Sequence, residues 1–295
     1  MEADFIRDWA NYLVAQLTRS SCHVDPTRDP EELAVAFFNA LAHRPPVTPR
    51  RVLVSREFAC PLACQAGVDL IKDKSERGED LTPHLSMAIE KDSDVGDRLF
   101  NDALLNDWGI HHLHLGTTPD PRNPSFVART DDVLFARITD DTLYMIAVMP
   151  HGNWARQDLV EIIHRNWPGS IRRFRLQGVV GLDPALRDDQ IAKLRKRYII
   201  AIQMRDGTVY RPIGGGCTTS GVGVEVADRA AYFCCIVRWL EKHVRENASR
   251  LVAEAATQGH TLGPRLRFRL LALVSESAYV IEDNSKVVFC VPLGR

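Results

Sequence analysis

Two β-rich apolar runs, Val133 to Ile138 and Leu143 to Met149, are separated only by Thr139-Asp140-Asp141-Thr142. A polar connector this short permits one local topology, an antiparallel hairpin, because a parallel return needs a crossover of about a dozen residues. The segment therefore has to pair with itself in a sheet. Its surroundings extend that sheet. Ile110 to Leu115 reads as a further strand, Thr117 to Asn123 as a Pro/Asp/Asn loop, and Pro150-His151-Gly152-Asn153 ends the second hairpin arm. A short helix is expected over Asp158 to Asn166, closed by Trp167-Pro168-Gly169.

Upstream of the hairpin the apolar period is helical. Phe5, Trp9, Tyr12, Leu13 and Leu17 share one face of an N-terminal helix, and Leu33, Phe37, Phe38 and Leu41 form the face of a second that starts after Pro30. His43-Arg44-Pro45-Pro46 stops the second helix, Val52-Leu53-Val54 is a short strand, and Leu62 to Ile71 a third helix. A further helix is predicted over Asp97 to Trp108, with Gly109 as its stop. Downstream come a basic helix from Asp188 to Arg197, strands at Tyr198 to Met204 and Thr208 to Ile213 around Asp206-Gly207, and one long helix from about Asp228 to Gln258. Two last strands follow, Leu266 to Val274 and Ala278 to Val291, the second broken near Asn284-Ser285. A chain of 295 residues is about twice a typical domain, so two domains are expected, 1–170 and 171–295, parted after Pro168-Gly169. The expected class is α+β, each domain a mainly antiparallel sheet packed with helices.

With 37 basic and 38 acidic residues the formal net charge is −1, which excludes a uniformly basic nucleic-acid coat. The balance is uneven along the chain. Residues 78–108 carry a net charge of −6 and residues 171–213 a net charge of +6. No run approaches the roughly 18 apolar residues of a membrane-spanning helix. The acidic start Met1-Glu2-Ala3-Asp4 lacks the basic and apolar regions of a secretory signal, so a cytoplasmic location with reduced thiols is expected. Cys60 and Cys64 have C-x3-C spacing, unlike a zinc ribbon, and neither a structural metal nor a cofactor is expected.

Residues 110–115 read Ile-His-His-Leu-His-Leu. Side chains alternate along a strand, so Ile110, His112 and His114 share one face while His111, Leu113 and Leu115 share the other. His112 and His114 stand about 7 Å apart, within reach of one phosphate or one ion. His151, at the end of the hairpin arm, is the natural third partner. Imidazoles titrate near neutrality and both donate and accept protons, so this set suits acid–base chemistry on a phosphodiester. The same residues suit an H-x-H metal chelate, or simply the polar face of a sheet.

The helix, strand, loop and tight hairpin from Asp97 to about Leu159 resemble the RelE/ParE-like toxin fold. Leu104 to Gly116 looks like that family's helix end and first sheet strand, and Arg129 to Met149 like its next two strands. In those ribonucleases basic and histidine side chains on the concave sheet face cleave mRNA in the ribosome. The resemblance implies His112, His114, Arg137 and His151 as catalytic residues.

Two further features suit anions. Arg265, Arg267 and Arg269 alternate with Leu266, Phe268 and Leu270, giving one guanidinium face to which Arg172, Arg173 and Arg175 and a run of bases near Lys193 add. Gly214-Gly215-Gly216-Cys217-Thr218-Thr219-Ser220-Gly221 lies between a strand and a long helix, where backbone amides and the hydroxyls of Thr218, Thr219 and Ser220 cradle an anion in some folds. It lacks the P-loop lysine, and a plain connection is the other reading. The leading functional expectation is thus a nucleic-acid-acting protein, a metal-independent endoribonuclease with RNA as its partner. The alternatives are a non-enzymatic binding or regulatory protein holding a protein partner on its arginine face, and a metal-dependent enzyme with an H-x-H site.

Overall fold

The computed structural model describes residues 1–22, 24–93, 102–183, 186–194, 201–274 and 276–293. In chain order its first elements are β1 (Glu2–Ala3), α1 (Phe5–Arg19), α2 (Pro30–His43), β2 (Arg51–Val54), α3 (Gln65–Arg77), α4 (Ala103–Trp108), β3 (His111–His114), β4 (Asp132–Ile138) and β5 (Thr142–Pro150). There follow α5 (Asp158–Asn166), α6 (Pro168–Ile171), α7 (Asp188–Leu194), β6 (Ile202–Gln203), β7 (Val209–Tyr210), α8 (Val224–Glu246), α9 (Ala248–Thr257), β8 (Arg267–Val274), β9 (Ser277–Glu282) and β10 (Val288–Pro292). The class is α+β, with sheets packed against helices. Among the described residues no helix is long and apolar enough to cross a membrane.

Internal contacts divide the chain into two units. One joins Met1–Phe38 to the chain from Val226 onward, and the other joins Asn39–Asp92 to the chain from residue 102 to Glu225. The break expected between residues 170 and 171 does not coincide with this division. Ile171, Phe174, Met204, Tyr210 and Ile213 bury themselves in one cluster with Leu104, Ile110, Val133 and Phe135, so the chain on either side of Pro168-Gly169 shares a core.

In the first unit the strand order is β1-β8-β9-β10, antiparallel except that β1 lies parallel to β8. Asp4 caps α1 by accepting from the Arg7 amide, and Phe5, Trp9, Leu13 and Leu17 form its buried stripe at four-residue steps. Tyr12, expected on that stripe, is exposed. The single long helix expected from Asp228 to Gln258 is two helices, α8 and α9, starting earlier at Val224. Asn247 interrupts them. Its side-chain Nδ2 donates to the His243 carbonyl, the bond that its own backbone amide also makes, and its φ of −104° and ψ of 14° leave the helical well.

The second unit is built on a four-stranded sheet of order β2-β5-β4-β3, with the predicted hairpin β4–β5 at its centre. β3 joins β4 antiparallel, while β2 joins the far side of β5 in parallel. Both faces are covered. Val133 and Phe135 point into one apolar cluster with Ile110, and Leu134 and Ala136 into another with Leu113 and Leu115. That is why β4 reads as a continuous apolar run instead of an alternating one. Of the helix expected from Asp97, the described part is α4, with residues 97–101 outside the described residues. The basic helix is described as far as Leu194, and its last residues, 195–197, fall outside as well.

The glycine run meets α4 end-on. Gly214 and Gly216 donate their amides to the carbonyls of Asp107 and Asn106, and a Cβ on Gly214 would stand 1.9 Å from the Leu105 carbonyl oxygen. The backbones can approach this closely only without a side chain. We expect Gly214→Ala to lower stability by about 2–3 kcal/mol through overpacking, read as a reduced urea midpoint. An unchanged midpoint would show that the loop moves away at no cost.

Candidate functional site

The histidines are assembled by strand register. β4 lies between β3 and β5, with His112 opposite Phe135 and His114 opposite Val133. On its other side Val133 faces Met149, and the amide of His151 donates to the Asp131 carbonyl at 2.7 Å just beyond the last pair. His151 is thereby brought to the same end of the sheet as His114. Ring centroids are 6.4 Å apart for His112 and His114, 6.0 Å for His112 and His151, and 5.7 Å for His114 and His151. Trp154 packs at 4.5 Å from His112 and 4.6 Å from His151, so an indole braces the two imidazoles.

Asp102 completes the set. As N-cap of α4 its Oδ1 accepts from the amides of Leu104 and Leu105, at 3.0 and 3.1 Å, while Oδ2 stands 3.5 Å from Nδ1 of His112. One carboxylate thus starts the helix and, from outside hydrogen-bond geometry, lends its negative charge to the Nδ1 side of His112, which favours Nδ1–H and leaves Nε2 as the proton acceptor. His114 has the opposite arrangement. Its Nδ1 accepts from the Thr130 amide at 3.4 Å, which places the proton on a buried Nε2 that has no partner. The His114 carbonyl accepts from Nδ1 of buried His84 at 2.8 Å, which steadies the strand end.

Burial dominates the electrostatics. It pushes His114 down to about 3, helped by the Arg129 cation and, whenever they are protonated, by His112 and His151. His112 is also lowered by burial, opposed by Asp102, and His151 by burial and then Arg129. All three imidazoles are therefore neutral at pH 7. His151 is the most exposed of them. Arg129 acts on all three and anchors itself by donating to the Leu85 carbonyl at 3.2 Å. On the opposite face His111 is pushed to about 3 by burial, then by His43, His112, Arg137 and Arg50.

No family model, curated protein or solved structure matches this chain. The site therefore has to be read from its own chemistry. His112, His114 and His151 come together. Arg137, grouped with them by the toxin resemblance, does not: it lies two residues beyond Phe135 on β4, with its guanidinium carbon 6.0 Å from the ring centroid of Phe174. Among the described residues no group of three or more His, Cys, Asp and Glu side chains is placed to hold a metal ion.

The two anion-binding expectations fare differently from the histidines. Arg265, Arg267 and Arg269 alternate outward as read, with Phe268 buried between them. Arg267 stands 3.6 Å from the carboxylate of Glu2 and Arg269 3.2 Å from that of Asp8, so two of the three charges are compensated within the unit. Arg172, Arg173 and Arg175 belong to the other unit. Five amides of the glycine run are already committed. Gly214, Gly215, Gly216, Thr218 and Gly221 all donate to backbone carbonyls. The Thr218 hydroxyl bonds Ser220 at 2.8 Å and the Val222 carbonyl at 3.0 Å, closing the turn on itself, with Thr219 at its exposed tip. Sequence reasoning missed Asp102 and Arg129. The first lay inside a longer expected helix, and its capping role shows only once the helix is known to begin at Ala103; the second lies in a loop without local pattern.

Proposed function

We propose that this chain is a metal-independent endoribonuclease that uses histidine acid–base chemistry at the end of its central sheet. The observation that carries the reading is the convergence of His112, His114 and His151 within 6.4 Å of one another, with Asp102 3.5 Å behind Nδ1 of His112. In this reading Nε2 of neutral His112 takes the proton of a ribose 2′-hydroxyl. The freed oxygen attacks phosphorus, the bond to the 5′-oxygen breaks, and His151, in the imidazolium form that it takes up on the acid side of neutrality, supplies the proton to the leaving oxygen. The cation of Arg129 faces the non-bridging oxygens, where charge grows, and His114, its Nε2 buried, packs beside the two reacting imidazoles. The toxin-like part of the reading rests on the sequence resemblance of Asp97 to about Leu159, within which α4, β3, a loop and the β4–β5 hairpin follow one another in that order.

Incubation of the purified protein with end-labelled RNA, with and without EDTA, tests this. Cleavage that survives chelation is the expected result. Cleavage abolished by EDTA moves the histidines to an H-x-H metal site. Intact RNA under every condition leaves a non-enzymatic binding protein.

A further inference from the structure

Arginine 137 presents a physical anomaly. It is only 7% exposed, yet among the described residues its guanidinium makes no hydrogen bond and no ion pair, and its Nε is buried without an acceptor. A guanidinium carries five N–H donors and a fixed charge, so burial without a counter-ion is among the costliest arrangements a fold can hold. The charge beside it makes matters worse, because Arg173 is a cation too. Burial and that neighbour both push Arg137 below the usual arginine range.

Phe174 gathers these charges. The guanidinium carbons of Arg173, Arg211 and Arg137 lie 4.7, 5.2 and 6.0 Å from its ring centroid. The ring attracts each cation through its quadrupole but offers no acceptor to an N–H. The local backbone fixes the gathering. Arg211 donates its amide to the Phe174 carbonyl at 3.0 Å, and Arg175 bridges to Tyr210, so β7 holds the Arg172–Phe174 turn against itself. Gly109, left-handed at φ 64°, lets Nη1 of Arg137 approach to where a Cβ would stand at 2.8 Å. Among the described residues none of the three side chains has a carboxylate partner.

We propose that Arg137, Arg173 and Arg211 around Phe174 form a receptor for a phosphoryl group, a second site distinct from the histidine cluster. Arg173 and Arg211 lie at exposed positions and Arg137 at a buried one, so an anion held among them meets two hydrated guanidiniums and one that is largely desolvated. A monocarboxylate neutralises one of three positive charges. A phosphomonoester brings a double charge and oxygens that match the planar N–H forks, which makes it the better complement. Inorganic phosphate and the terminal phosphate of a nucleotide share this chemistry.

The test is calorimetric titration of the full chain with inorganic phosphate, a nucleoside 5′-monophosphate, its unphosphorylated nucleoside, and acetate, at constant ionic strength. Saturable binding of phosphate and of the monophosphate, without binding of the nucleoside, is expected. Arg173→Ala and Arg211→Ala, both at exposed positions where the fold tolerates truncation, should each weaken it by about tenfold. Arg269→Ala and His112→Gln should leave it unchanged. Tighter binding of the monophosphate than of phosphate identifies a nucleotide as the source, and equal binding identifies the phosphoryl group alone. No saturation below about 10 mM, equal affinity for acetate, wild-type affinity in both arginine variants, or loss of binding in His112→Gln each overturns the site.

Discussion

Replacing His112 by glutamine is expected to lower kcat for RNA cleavage by about 10²–10⁴-fold with little change in KM, the range that removal of a general base produces. Glutamine keeps the volume and a donor toward Asp102 but accepts no proton at neutral pH, so the loss falls on the proton transfer and not on the fold. Asp102→Asn is expected to cost less, because it removes only the bias that sets the His112 tautomer while its amide oxygen still caps α4. The pH profile gives the second readout. Burial lowers His112 and His151 from 6.5, so kcat/KM should be bell-shaped with both limbs to the acid side of that value. A rate unchanged in the His112 variant, at any pH, removes His112 from the mechanism.

The second large effect is on stability in mild acid. His111 and His114 are 7% and 1% exposed, and burial holds both near 3, whereas in the unfolded chain each returns to the ordinary 6.5. Between those values the unfolded state binds a proton that the native state does not, so stability rises with pH there. The contribution is complete above about 6.5 and is lost as pH falls toward 3. Between about pH 7.5 and about pH 5 the two side chains together cost about 4 kcal/mol. A domain commands roughly 5–15 kcal/mol in all, so the second unit is expected to lose a large share of its stability in mild acid. His43 and His84 are lowered in the same direction by burial and steepen the loss. Urea midpoints measured at the two pH values check this, and His111→Leu should remove about half of the difference. Equal midpoints in the wild type would mean that these imidazoles accept protons in place, without unfolding.

Much of the fold was legible. The Thr139–Thr142 connector forced the β4–β5 hairpin, Asp158–Asn166 is a helix as read, and alternation placed His112 and His114 on the face opposite His111, Leu113 and Leu115. These signals are local, set by turn length and by the two-residue repeat of a strand. The Asn247 break escaped because apolar periodicity continues across it from Val244 to Leu251, and only the competing side-chain bond interrupts the backbone.

The division into units was not legible for a related reason. Pro168-Gly169 ends α5 whether or not the next residues rejoin the same core, and no local pattern states that Phe174 and Ile213 will pack with Leu104. The same holds for the arginines. The alternating stripe at Arg265–Arg269 was the stronger sequence signal, yet Glu2 and Asp8 compensate it from more than 250 residues away in the chain. Arg137 stood out only through the toxin resemblance, Arg173 only as a neighbour of Arg172 and Arg175, and Arg211 not at all, yet the three meet at one phenyl ring. By itself the sequence determined the hairpin, the histidine face and the α+β class, because those follow from interactions within a few residues. Only the tertiary structure decided which charges are neutralised and which are left facing one another, because that depends on side chains joined by long loops and register rather than by spacing.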